Sequence, residues 1–216
     1  MAMVKVLLPK KLGRPTSCDA VETRTRLLTE ARRSFANNGF DATTNREIAV
    51  AVGITTGAIY HYFPSKLDLY VAVYAEVQEL VYSAFEKAAY DDCSFDEKFS
   101  AILDSLIELN AADPSLTSFV VGVAGESQRH PELLVAIKPF RARSNKFLQQ
   151  LCRDAVANGQ IHGDISVAAL EDMINVLLSG LARFSTVTSD NERGVQAITA
   201  LKHFMAGTAV LAPVSR

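Results

Sequence analysis

The sequence predicts an all-α protein, and three observations carry that reading. Apolar residues recur every three or four positions through most of the 216 residues. Alternation of period two is absent over any useful length. The periodic stretches are bounded by helix N-caps, glycines and prolines. Composition agrees: 49% of residues are hydrophobic and 21% charged, and 11 Gly with 7 Pro exclude a collagenous or low-complexity chain. The length suffices to bury a substantial core in one or two domains. No repeat of fixed length is visible.

Taken in order, residues 1–18 read as a flexible basic arm. Lys5, Lys10, Lys11 and Arg14 lie in it with no acid before Asp19. From about Asp19 a helix sets in, with Leu27, Ala31 and Phe35 at four-residue intervals and Leu28 beside them. Asn37-Asn38-Gly39 stops it, Gly39 being suited to the left-handed position past a helix end. Thr44 and Glu47 form a capping box for a helix from about Asn45 to Val52, ended by Gly53. Thr55 caps a further helix through about Tyr62. Pro64-Ser65 breaks again, and Ser65 with Asp68 starts a long helix toward Ala89. Beyond lie candidate helices at 95–111, 115–129, 132–158, 167–187 and 191–205. Their breaks are Asp113-Pro114, His130-Pro131, Asn158-Gly159 and Thr188-Ser189-Asp190, and Pro139 should kink or split the 132–158 stretch.

Charge is unevenly shared. Residues 1–66 carry ten Lys/Arg against five Asp/Glu, a net +5, whereas residues 67–216 carry twelve against nineteen, a net −7. A basic front on an acidic body suggests that only the front meets a polyanion. The segment from Thr43 to Phe63 supplies the geometry. Ile48, Val52, Ile54 and Ile59 are spaced so that two short helices bury apolar residues against each other and the first helix. Ala49 is small enough for a close crossing, and Gly53 permits the positive φ of a tight turn. That is a helix-turn-helix, whose second helix lies in the major groove of DNA. Thr55, Thr56 and Gly57 form the N-terminal turn of that helix, where free N–H groups favour phosphate. Tyr60, His61 and Tyr62 put hydrogen-bonding tips on flat bodies. Lys66, in the first turn of the next helix, is unfavourable to the helix dipole, a cost that a nearby phosphate would offset.

From about Arg24 to Tyr70 the chain resembles the DNA-binding domain of the TetR/AcrR family of transcriptional regulators. The matching residues are Ala31, Phe35, Gly39-Phe40, Thr43-Thr44, Ile48-Ala49, Gly53-Ile54, Gly57 to Phe63, and Ser65-Lys66. The resemblance implies a homodimer whose two helix-turn-helix heads read a pseudo-palindromic double-stranded DNA operator. It places Thr44, Tyr62 and Lys66 at phosphates and Arg46, Thr56, Gly57 and His61 near base edges. Arg46 is the candidate for guanine, since a guanidinium donates twice to its O6/N7 edge; a solvated surface arginine is the alternative. Tyr60 either contacts DNA or packs, and Gly13-Arg14-Pro15 is placed to enter a minor groove. The domains expected are 1–18, the arm; 19–65, the helix-turn-helix DNA-binding domain; and 66–216, a helical ligand-binding and dimerisation domain.

In the body, Leu170, Ile174, Leu177, Leu181 and Phe184 repeat at intervals of four, three, four and three, and the next helix aligns Val195, Ile198 and Met205. This is more apolar surface than one core contact needs. The resemblance implies a four-helix dimer interface there; plain intrachain core is the alternative. Tyr82, Phe85, Phe119, Val123 and Phe147 are candidates to line a cavity for a small-molecule effector, or else core. Histidines far apart and three cysteines without a CxxC argue against a metal site, and the common hydrolase and nucleotide-binding signatures are missing. No cofactor is expected. No apolar run approaches the roughly 18 residues of a membrane span, so no membrane partner is expected. Val4 to Leu8 is too short for a signal-peptide core, and a cytoplasmic location is expected. The function implied is a sequence-specific, ligand-released transcriptional regulator, a repressor, and no enzyme. The alternative is a helical small-molecule-binding or adaptor protein that keeps the fold without operator binding.

Overall fold

The computed structural model describes residues 17–90, 93–161, 164–188 and 191–207. The basic arm up to residue 16, with its Gly13-Arg14-Pro15, lies outside them. Helices α1 (Ser17–Ala42), α2 (Asn45–Val52) and α3 (Thr56–Tyr62) lead into the long α4 (Lys66–Ala88). Then come α5 (Phe95–Ala112), α6 (Pro114–Arg129), α7 (Pro131–Ile137), α8 (Arg141–Ala157), α9 (Val167–Thr188) and α10 (Asn191–Met205). Among the described residues there is no strand.

Local signals explain most boundaries. Gly39 interrupts α1 with φ 77° and ψ −179°, a conformation close to glycine-only. Ser94 donates to Glu97 through both its amide (2.9 Å) and its hydroxyl (2.6 Å) at the start of α5. Asp113 caps α6 by accepting from the Ser115 amide at 3.0 Å, with Pro114 in the first turn, where its missing N–H costs nothing. Pro139 splits the expected 132–158 helix. Residues Lys138–Phe140 form a single 3-10 turn between α7 and α8.

Two apolar clusters form the interior. The first gathers Leu27, Leu28, Ala31 and Phe35 of α1, Ile48, Ala49 and Val52 of α2, and Ile59 of α3. It continues through Leu69, Tyr70 and Val73 of α4 to Phe119 and Val123 of α6 and Leu133 and Ile137 of α7. The second joins Phe85 of α4 to Phe99, Ile102 and Leu103 of α5, Leu148 and Cys152 of α8, Leu170 and Ile174 of α9, and Ile198 of α10. Helix α4 is the shared beam. Its first half belongs to the front cluster and Phe85 to the rear one.

The charged tie across the front is Arg32, whose residue is only 5% exposed. Its guanidinium donates to Glu76 of α4 (3.1 Å), to Asp113 at the start of α6 (2.7 Å) and to the Ser115 hydroxyl (3.0 Å). The two acids respond differently. Burial raises the Glu76 pKa despite Arg32. At Asp113 burial acts the same way but is outweighed by the hydrogen bonds from Ser115 and from the closer arm of Arg32, so that carboxyl is held low. Replacing Arg32 by Met should strand both acids. With each acid still partly exposed, the expected loss is about 2–3 kcal/mol, below the range for a fully buried pair. Urea unfolding of the two proteins measures it, and a loss below about 0.5 kcal/mol would put the tie among ordinary surface pairs.

Candidate nucleic-acid interface and interior cavity

The helix-turn-helix is assembled from its caps. Thr44 lies outside α2 with φ −117° and ψ 144°, and its hydroxyl accepts from the Glu47 amide at 3.2 Å. Glu47 returns the contact, its carboxylate accepting from the Thr44 amide (3.2 Å) and hydroxyl (2.9 Å). At the other end Gly53 takes the left-handed conformation, φ 80° and ψ 33°. The Gly53 and Ile54 amides then both donate to the Ala49 carbonyl, at 3.0 and 2.9 Å. The turn brings Thr55 to the start of α3, where its hydroxyl accepts from the Ala58 amide at 3.2 Å. Ile48, Ala49, Val52 and Ile59 face inward, so the opposite side of α3 is left to solvent.

On that outer side Thr44, Arg46, Thr55, Gly57, Tyr60 and His61 are exposed, and Thr56 and Tyr62 are half-buried. Arg46, Tyr60 and His61 have no side-chain hydrogen bond or ion pair among the described residues. The three stand around the recognition helix as unspent donors and acceptors. Lys66 differs from the expectation. Its ammonium donates to the carbonyls of Phe40 (2.7 Å), Thr43 (3.2 Å) and Asp41 (3.3 Å), and it lies 4.5 Å from the Phe40 ring centroid. Within the single chain these carbonyls offset a cation in the first turn of α4. With three donors spent on three acceptors, Lys66 fastens the α1–α2 connection to α4.

The same connection meets the body from the other side. A Cβ on Gly39 would lie 2.6 Å from Oε1 of Glu126, a buried acid on α6. That oxygen accepts from Arg129 at 2.7 Å. His130, just past α6, pairs with Asp41 at 3.0 Å and with Glu132 at 3.2 Å. Its ring sits edge-on to Phe40 with centroids 5.0 Å apart. The hydrogen bond to Asp41, and then the charges of Asp41 and Glu132, raise the His130 pKa in spite of some desolvation.

In the body, a cavity of about 130 Å³ lies between α4, α5, α6 and α9. Tyr82 and Phe85 line it. Phe147 does not line it; it packs on Tyr82 and Phe85 at centroid distances of 5.9 and 6.4 Å. Phe119 and Val123 belong to the front cluster instead, Phe119 lying 5.1 Å from Tyr70. Gln78 and Thr117, which also line the cavity, carry no periodicity signal that marks them.

The apolar repeat of α9 and α10 also needs correcting. Leu170 (1% exposed), Ile174 (0%) and Ile198 (4%) are rear-core residues of a single chain. Leu177, Leu181 and Met205 are partly buried against the same core, and Phe184 is half-buried under the Arg193 guanidinium, 5.5 Å from its ring. Only Val195 of the expected set stands among the exposed large apolar residues. The others on these helices are Met173, Val176, Val187 and Phe204. The longest stripe of a helix faces its own core; the second face is shorter and interrupted by Gly180 and Arg183. Among the described residues no helix is long and apolar enough to cross a membrane, and no cluster of His, Cys, Asp or Glu could hold a metal ion.

A helix-turn-helix front on a helical body with a partly open cavity defines a class of DNA-binding regulator, and comparison with known proteins agrees. Residues 27–73 match the family model described as "Bacterial regulatory proteins, tetR family", and residues 95–210 match the "BetI-type transcriptional repressor, C-terminal" model. The HTH-type transcriptional regulator UidR of Escherichia coli (strain K12) is 28% identical over 163 residues, 76% of this chain and 81% of that protein. The structure of Salmonella enterica GusR superposes with a TM-score of 0.70 at 26% identity, covering 93% of this chain and 99% of that one. FadR from Bacillus subtilis, solved in complex with stearoyl-CoA, shares the fold with a TM-score of 0.75 at 18% identity, covering 85% and 98%. The chain belongs to the TetR family of transcriptional regulators. It is a transcriptional regulator with a helix-turn-helix DNA-binding front.

The His130 geometry predicts a pH dependence. A pKa raised by folding means that the contribution to stability is complete below the unfolded value, about 6.5. It is lost as pH rises through the higher folded value. Thermal unfolding of the wild type and of His130→Gln across this interval should show a wild-type advantage on the acid side that fades on the alkaline side. An advantage that stays constant with pH would assign His130 a packing role against Phe40 alone.

Proposed function

We propose that this chain is a homodimeric repressor, working in the cytoplasm, released from a pseudo-palindromic operator by a small-molecule effector. The observation that carries the reading is the helix-turn-helix: a recognition helix, capped and set by a left-handed Gly53, that presents Tyr60 and His61 outward, with Arg46 of α2 beside it, all three without an intrachain side-chain hydrogen bond or ion pair. In this reading residues 19–65 bind DNA and residues 66–216 bind effector and partner. Arg46 reads a guanine. Thr56, Gly57 and His61 approach base edges, while Thr44, Thr55 and Tyr62 hold phosphates. Tyr60 lies on the same face. Lys66 acts by positioning the α1–α2 connection.

The second copy is proposed to pack on α9 and α10 through Met173, Val176, Val187, Val195 and Phe204. Val176 and Phe204 are 70% and 72% exposed in the single chain, and leaving such a set in water is unfavourable. The FadR neighbour, solved with stearoyl-CoA, supports an effector site in a body of this fold. Effector binding and DNA binding are then coupled reciprocally, each changing the other's affinity by the same factor.

Selection from a random duplex library tests operator binding and symmetry together. The expected product is an inverted repeat whose half-site centres lie about 34–36 Å apart, or a multiple of that. No enrichment by folded, dimeric protein would favour an adaptor that keeps the fold alone. On the selected duplex, Arg46→Ala should cost about 1–3 kcal/mol and relax preference at one base pair per half-site. An equal loss on all sequences would make Arg46 a phosphate contact. Val176→Asp should weaken the dimer by about tenfold or more in sedimentation while leaving helicity intact; an unchanged dimer would place the interface elsewhere.

A further inference from the structure

We propose that the cavity between α4, α5, α6 and α9 takes an uncharged, largely apolar molecule of about one ring carrying a single hydrogen-bond donor, such as a phenol, and that the donor pairs with Oε1 of Gln78. The inference rests on the reading of this chain as a ligand-responsive regulator and names the class of its effector.

The wall decides the charge. Val81, Phe85, Leu106, Leu109, Leu116 and Leu178 are among its apolar lining, and no Lys, Arg, His, Asp or Glu is among the lining residues. The cavity opens to solvent beside Val120, Asn175 and Ser179, but a carboxylate, phosphate or ammonium seated against the wall at Gln78 would find no counter-ion, and ions transferred unpaired into apolar surroundings are strongly disfavoured. The cavity thus selects against charged effectors by what it lacks.

The donor requirement comes from one atom. Gln78 lines the cavity, and its Oε1 is buried with no hydrogen-bond partner. The other buried side-chain oxygens without a partner are on Asn45, Glu126 and Ser127, none of which lines this cavity. A buried carbonyl oxygen left unpaired loses the hydrogen bonds it would make to water. A ligand hydroxyl or N–H restores one, whereas a hydrocarbon of the same shape does not. The half-buried Thr117 is also a lining residue whose hydroxyl is not spent on a partner among the described residues; the remaining polar lining groups are committed or lie toward solvent. The Tyr82 hydroxyl is engaged with Ser144; Asn175 and Ser179 are exposed on α9 and donate nothing to the buried wall, the Asn175 amide going to the Glu171 carbonyl at 3.0 Å.

Size follows from volume. About 130 Å³ is close to the ~150 Å³ at which an apolar protein cavity accepts benzene. A neighbouring chamber of about 110 Å³ shares Leu106, Thr117 and Ala182 with it. A ring fills the first chamber, and a short apolar substituent can extend toward the second.

The test uses the full-length protein and three probes built on one methyl-substituted ring: 4-methylphenol, toluene and 4-methylbenzoate, each titrated calorimetrically. The phenol should bind. Toluene should bind about tenfold more weakly, the fold-change of one hydrogen bond, and the benzoate should not bind measurably. In Gln78→Met, which keeps the length of the side chain, phenol and toluene should bind within about twofold of each other. Equal binding of phenol and toluene to the wild type, binding of the benzoate, or binding of none of the three overturns the proposal, and these arms stand even if the variant fails to fold. Operator affinity measured alongside separates the two readings. Phenol binding that leaves operator affinity unchanged keeps the site and overturns its role as effector site, whereas no phenol binding by a protein that still binds its duplex leaves the regulator standing without this effector class.

Discussion

A guanidinium buried between three helices sets the frame of this molecule. Arg32 reaches from α1 to Glu76 on α4 and to Asp113 and Ser115 where α6 begins. A cation that is almost wholly removed from water must keep its acids, so α1 cannot slide or rotate against α4 and α6 without giving up charge-assisted bonds. The apolar packing around it is tolerant of small shifts; the guanidinium is not. Because α1 also carries Leu27, Ala31 and Phe35 into the core beneath α2 and α3, the orientation of the recognition helix is inherited from this tie.

The front and the body are consequently less separate than a two-domain description suggests. The front apolar cluster runs from α1 without interruption into α6 and α7. Two polar contacts reinforce it around one short connection, Lys66 on its carbonyls and His130 on Asp41, and Glu126 packs closely against Gly39. The recognition helix itself is held by its own caps and by Ile59, and its outward face bears no structural duty. Apart from the caps Thr44 and Thr55, structural and proposed recognition tasks fall on different residues of this segment, which lets Arg46, Tyr60 and His61 change without loss of the fold.

What could be read from the sequence divides along the same physical line. Interactions within four residues were legible: the Thr44–Glu47 box, the Thr55 and Ser65 caps, the left-handed Gly53, the positive φ of Gly39, and the break at Pro139. Each depends on local backbone chemistry that a sequence carries in full. Interactions between distant elements were legible only in kind. Leu170, Ile174 and Ile198 were visible as an apolar stripe, yet periodicity says that a face is buried and not against what. Phe119 and Phe85 look alike in sequence, and only the crossing of α6 over α4 sends one to the front core and the other to the cavity. The same limit applies to Lys66, whose three carbonyl partners lie 23 to 26 positions away, and to Gln78, an ordinary polar residue until four helices close around it.

One consequence follows from the contact at Gly39. Most contacts between moving parts of proteins are cushioned by side chains, which can change rotamer and absorb a displacement of an ångström. Here the α1 side of the joint is bare backbone, in a conformation open to glycine, and the carboxylate of Glu126 sits where a methyl group would be. A shift of α6 at this point has no torsion on the α1 side in which to dissipate. It displaces the main chain that leads directly into Thr43 and Thr44. The joint is therefore cushioned from one side only, by the Glu126 side chain, and the positive φ of its glycine strains any substitute.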